Sequence, residues 1–97
     1  ANKLQALDDM IHSFQHVALR FKYSSIPTVA ALRGTALGGG CELTLQCGAV
    51  VAAFESYPGL VEAGVGLIPA GGGCKEMAMR AAQLMPQGDL MSLLQKY

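Results

Sequence analysis

An α/β fold is the class this sequence predicts, and three observations predict it. A long run of apolar residues at steps of three and four is followed by short apolar runs, some β-branched, the mixture expected where helices cover strands. The tetrapeptide Gly-Gly-Gly-Cys occurs twice, at 38–41 and 71–74, each time opening a helix after an apolar segment. Turn-forming residues, Pro27, Pro58-Gly59 and Pro86, punctuate the periodic stretches.

Leu4, Leu7, Ile11, Phe14, Ala18 and Phe21 form one stripe of an amphipathic helix over roughly Asn2 to Tyr23. Ser24-Ser25-Ile26-Pro27 ends it, because the residue before a proline resists helical geometry. Thr28 to Arg33 reads as a buried strand. A helix starts near Gly40 and runs to about Cys47, and Ala49 to Phe54 reads as a second buried strand. Ser56 to Gly66 is rich in turn formers. A helix follows from Cys74 to Leu84; Met85-Pro86-Gln87-Gly88 breaks it, and Asp89 caps a last helix through Lys96. The glycine triplets read as repeated strand–turn–helix units, since glycine lets the backbone turn sharply and approach a ligand.

The 97 residues allow at most one small domain. Hydrophobic residues make up 52% and charged residues only 14%, a balance that predicts a partial domain or an oligomer hiding apolar surface. The start at Ala1-Asn2 and the stop inside a helical pattern predict a single partial domain over 1–97, truncated at both ends. Seven acids balance seven bases, which argues against a nucleic-acid footprint. The longest uncharged apolar run, Leu43 to Phe54, falls short of the ~20 residues a membrane span needs. Cys41, Cys47 and Cys74 fit no metal-ligand spacing and are expected to be reduced core thiols in a cytoplasmic protein.

Chemistry is expected at two isolated carboxylates. Glu42 is the only charged residue between Gly34 and Phe54, and Glu62 the only one between Ser56 and Cys74. A carboxylate in apolar sequence is costly to desolvate, so it needs a hydrogen-bonding or functional reason. Either the two form a buried acid/base pair with divergent proton affinities, or each satisfies backbone amides near its turn. The first glycine turn exposes helix-start amides, which can hold a phosphate or the oxyanion of a polarised carbonyl. Neither triplet continues as Gly-Lys-Ser/Thr, and a glutamate just beyond would repel phosphate, so a carbonyl fits better. His12 and His16 have metal-pair spacing but no third ligand, and no metal site is expected. Lys75 and Arg80 read as a solvated helix face.

Two segments, "IPTVAALRGTALGGGCELTLQC" (26–47) and "YPGLVEAGVGLIPAGGG" (57–73), closely resemble the crotonase (enoyl-CoA hydratase/isomerase) superfamily. The flanks "FQHVALRFKYSSIP" and "CKEMAMRAA" resemble the hydratase-type module of long bacterial 3-hydroxyacyl-CoA dehydrogenases of fatty acid β-oxidation. The resemblance implies a crotonase-like fold of repeated strand–strand–helix units, here without its N-terminal part. It implies water addition to a trans-2-enoyl-CoA, with Glu42 as base toward the water and Glu62 supplying the proton to the α carbon. Gly39 would provide half of an oxyanion hole, and the Ala70 amide would contact the water. Coenzyme A enters only as the substrate thioester, and NAD only in a neighbouring dehydrogenase domain. The family's second oxyanion amide lies upstream, so the isolated chain is expected to be inactive. Cys47-Gly48 stands where the family usually has aspartate. Double-bond isomerisation, or a module that only binds acyl-CoA or oligomerises, are the alternatives, and a homo-oligomer is expected.

Overall fold

Strands are laid down in interleaved order, so that each strand of a first unit pairs with its counterpart in a second. The computed structural model describes residues 2–84. The elements are α1 (Asn2–Lys22), β1 (Val29–Leu32), β2 (Thr35–Leu37), α2 (Gly39–Gln46), β3 (Ala49–Ala52), β4 (Tyr57–Gly59), a 3-10 turn (Glu62–Val65) and α3 (Gly73–Leu84). β1 pairs with β3 in parallel, Val29 opposite Ala49 through Leu32 opposite Ala52. β2 pairs with β4 in parallel, Thr35 opposite Tyr57 through Leu37 opposite Gly59. Parallel neighbours need a long crossover, and β2 with α2 supplies it for the first pair.

The repeat expected from the two Gly-Gly-Gly-Cys copies is therefore a strand–strand–helix unit: β1, β2, α2, then β3, β4, α3. Cross-links between the copies hold the register. The Tyr57 amide donates to the Gly34 carbonyl at 2.8 Å, the Gly38 amide to the Gly59 carbonyl at 2.9 Å, and Ser56 Oγ to the Leu32 carbonyl at 2.9 Å.

The helices over Asn2–Lys22, Gly39–Gln46 and Gly73–Leu84 and the strands Val29–Leu32 and Ala49–Ala52 stand where periodicity places them. β2, β4 and the 3-10 turn do not announce themselves: strands of three residues are too short to show an alternating pattern. The expectation that the longer strands are buried is corrected. β3 is exposed throughout, and in β1 only Leu32 is buried. Parallel sheets ordinarily have both faces covered, but a two-stranded pair covered by few neighbours leaves its side chains open. The breaker at 85–88 and the helix expected from Asp89 to Lys96 lie outside the described residues.

α1 projects well beyond the rest, and its first nine described residues are exposed on every side. Its inner end packs against α2 through Ala18, which is buried, with Phe14 half-buried one turn earlier. Lys22 at the foot of α1 bonds Glu76 of α3, tying the helices across 54 positions. Glu76 is buried to 4% exposure. Burial pushes its carboxyl up, but the hydrogen bond and charge of Lys22, with Lys75 and Arg80, outweigh this and hold it below the ordinary range.

Candidate active site

α2 begins at a glycine turn for a backbone reason. Gly38, the residue before the helix, has φ +56°, a left-handed conformation that costs little only for glycine. A Cβ there would stand 3.0 Å from Glu62 Oε1, so the missing side chain also makes room for that carboxylate. Gly39 and Gly40 open the helix, where amides have no intrahelical acceptor. The predicted oxyanion donor, Gly39, thus sits at the positive end of α2.

Glu42 lies one turn into α2 and is only 4% exposed. Its Oε1 accepts a hydrogen bond from the Gly73 amide at 3.0 Å. Gly73 is the first residue of α3, so the carboxylate caps a neighbouring helix from outside, a stabilising place for negative charge. Approach this close is possible because the second triplet lacks side chains. A Cβ on Gly73 would meet Glu42 Oε1 at 3.0 Å, and one on Gly71 would collide with Glu42 Oε2 and the Phe14 ring.

Glu62 starts the 3-10 turn and is half-buried, and its Oε2 is enclosed without a hydrogen-bond partner. The two predicted carboxylates thus meet different glycine turns: Glu62 packs against Gly38 of the first, while Glu42, carried on the helix that the first turn opens, reaches Gly71 and Gly73 of the second. Cys41 lies in the same cluster. Burial, the charge of Glu62 and that of Glu42 push its thiol up, against a lowering backbone hydrogen bond at Gly59. A thiol held protonated is no activated nucleophile.

Ala70 falls at the start of the second turn, and its carbonyl accepts from Gln15 Nε2 at 2.7 Å. Ala70, Gly71 and Gly72 line a cleft of about 410 Å³ with Gln15 of α1 and Gln46 of α2. Gln46 is uncharged and does not stand out in the sequence as the lone carboxylates do. It is 3% exposed, and its Oε1 has no hydrogen-bond partner. Its position four residues after Glu42, on the same helix face, was the available signal.

Other expectations shift in detail. Cys41 is buried as expected, but Cys47 is half-buried, with Sγ 3.6 Å from the Leu43 carbonyl, and Cys74 is exposed at the rim of the cleft. His12 and His16 are exposed, with His12 Nε2 3.7 Å from Asp8 Oδ2. Lys75 is half-exposed, 3.8 Å from Glu76 Oε1, whereas Arg80 reaches back to donate to the Leu45 carbonyl at 2.9 Å. Arg80 is thus an inter-helix tie, which a purely solvated face does not provide. Among the described residues, no helix is long and apolar enough to cross a membrane.

The sequence pattern described as enoyl-CoA hydratase/isomerase matches residues 2–87. A Bacillus subtilis protein named as a probable 3-hydroxyacyl-CoA dehydrogenase is 52% identical over 71 residues, 73% of this chain and 9% of that protein. A Rickettsia felis protein named as a fatty acid oxidation complex trifunctional enzyme is 42% identical over 88 residues, 91% of this chain and 12% of its own length. The crystal structure of an enoyl-CoA hydratase from Bacillus anthracis superposes with a TM-score of 0.74 at 29% identity, covering 77% of this chain and 29% of that one. The chain spans 9% and 12% of the two curated relatives.

Proposed function

From the premise that this chain belongs to the enoyl-CoA hydratase/isomerase family and carries part of the crotonase fold, we propose that it forms the acid/base core of a site that adds water to a trans-2-enoyl-CoA. One observation carries the reading: the buried Glu42 carboxylate is held by the Gly73 amide, while the Glu62 carboxylate packs against Gly38, at the turn that opens the helix bearing Glu42. Glu42 takes a proton from water as its oxygen bonds to C3 of the enoyl group. Electrons of the double bond move onto the thioester oxygen, where the Gly39 amide stabilises the developing charge. Glu62 then delivers a proton to C2, and the Ala70 amide orients the water. Preorganised donors act more strongly on the enolate oxygen than on the ground-state carbonyl, which makes the arrangement catalytic rather than merely binding.

The substrate in this reading is an acyl-CoA thioester, and the four residues need no further cofactor. The larger protein is a multifunctional 3-hydroxyacyl-CoA dehydrogenase of the cytoplasm, with NAD bound in a neighbouring domain. Self-association is part of the same reading, supported by Val29, Val50 and Val51, which stand exposed on β1 and β3. Sedimentation showing only monomer refutes it.

The test is hydration of crotonyl-CoA by the full-length protein in heavy-oxygen water. Label in the 3-hydroxyacyl product supports hydration; unlabelled, shifted double bonds support isomerisation instead. Acyl-CoA binding that survives Glu42→Gln/Glu62→Gln, without turnover in either protein, reduces the module to a binding platform. The 97-residue chain by itself is expected to give no turnover.

A further inference from the structure

The two glycine turns meet on one dipeptide of α1. The ring of Phe14 touches both: a Cβ on Gly39 would meet Phe14 Cζ at 3.5 Å, an ordinary contact, whereas one on Gly71 would run into the ring edge, with Cδ1 at 2.8 Å. The ring fills the space between the start of α2 and the second turn, and that turn can close on it only because Gly71 has no side chain. The next residue, Gln15, donates from Nε2 to the Ala70 carbonyl at 2.7 Å, across 55 positions of sequence. That bond pins the peptide joining Ala70 to Gly71. Two residues after Gly71, the Gly73 amide holds Glu42 Oε1.

A run of three glycines loses more backbone freedom on ordering than any other tripeptide. Gly72 sits at φ +114°, where side-chain-bearing residues are strained. Such a turn has little stiffness of its own, so its position depends on what grips it. α1 supplies the grip from one side and Glu42 from the other.

We propose that Phe14 and Gln15 are positioning residues that set the spacing between the oxyanion turn at Gly39 and the turn that holds Glu42, Phe14 as the spacer and Gln15 as the tie. The proposal rests on the hydration reading above. Neither side chain touches the reacting atoms. Each acts through the backbone of a turn, and reacting groups are sensitive to displacements of about 1 Å.

The experiment measures crotonyl-CoA hydration by the full-length protein carrying Gln15→Met, Gln15→Lys or Phe14→Leu, with melting temperatures alongside. Methionine keeps the length of glutamine and removes the donor; lysine restores a donor. Gln15→Met is expected to lower kcat about five-fold with KM within about two-fold, as for losing one intramolecular hydrogen bond felt in the transition state. Gln15→Lys recovers most of that loss, and Phe14→Leu lowers kcat about ten-fold, as a misplaced turn requires. An unchanged kcat in Gln15→Met overturns the proposal. So does an equal loss in the methionine and lysine variants that follows their melting temperatures, the mark of a structural role alone. If the unsubstituted protein hydrates no enoyl-CoA, the hydration reading itself falls, and the positioning proposal falls with it.

Discussion

Around α2 and the second glycine turn, three polar side chains are buried alongside Ala18 and Cys41: Glu42, Gln46 and Glu76 are each at most 4% exposed. Along β1 and β3 the apolar Val29, Val50 and Val51 stand 45% to 65% exposed. A carboxylate or amide leaves water at low cost only where a partner meets it. Two of these three have such partners, the Gly73 amide for Glu42 and Lys22 for Glu76. The helical region is thus ordered by specific bonds to named atoms. The strand region is ordered by its backbone ladder, and its side chains add little in this chain. Substitutions should therefore be severe and specific in the first region and mild in the second.

The largest expected effect is on chemistry. Glu42→Gln in the full-length protein keeps the shape of the side chain and the bond to Gly73 but removes the proposed base. A loss of hydration between about a hundred-fold and ten-thousand-fold is expected in steady-state kinetics. Turnover within a factor of two of the unsubstituted protein breaks the catalytic side of the comparison and leaves Glu42 as a cap for α3.

Next comes the buried ion pair. Lys22→Met leaves Glu76 charged and enclosed, and denaturant unfolding is expected to show a loss of about 3 kcal/mol. The figure sits at the low end for a broken buried pair because Lys75 and Arg80 remain near the carboxylate and Lys22 keeps 19% exposure. The proton affinity of Glu76 is depressed in the folded state. Its contribution is therefore full above the ordinary glutamate range and is lost as pH falls through the lower, folded value. Lys22→Met should flatten that acid limb of the stability curve. An unchanged acid limb would mean that Lys22 does not set it.

Gly71→Ala tests the close approach. The new methyl collides with Phe14 and Glu42, and overpacking of this kind costs about 1–3 kcal/mol. A melting temperature equal to the parent's would show that the turn yields without loss. The smallest effect belongs to the strands: Val51→Thr on exposed β3 should change stability by less than about 0.5 kcal/mol. A larger change sharpens the comparison, because it shows this face to be covered in solution and supports self-association.

How much of this was legible in the residues depends on how local each signal is. The stripe from Leu4 to Phe21 and the apolar runs at 28–33 and 49–54 mark helix and strands, because burial periodicity is a property of neighbouring positions. Glu42 and Glu62 stand out as lone charges in apolar sequence. Phe14, Gln15 and Gln46 do not: an aromatic on a helix stripe and two glutamines look ordinary, and their meaning lies in what they touch tens of positions away. β2 and β4 escape for a related reason, since three residues carry no period and the parallel ladder joining them is non-local.

The sequence by itself therefore determined the α/β class, the doubled Gly-Gly-Gly-Cys unit, and two carboxylates that need a reason to be there. Only the tertiary structure decided that the units interleave as parallel pairs, that Glu42 reaches across to the first amide of α3, and that Phe14 lies between the two turns. The physical reason is range. Propensity, patterning and desolvation cost act along a few residues of chain, whereas a hydrogen bond such as Gln15 to Ala70 joins atoms 55 positions apart and exists only once the chain has closed on itself.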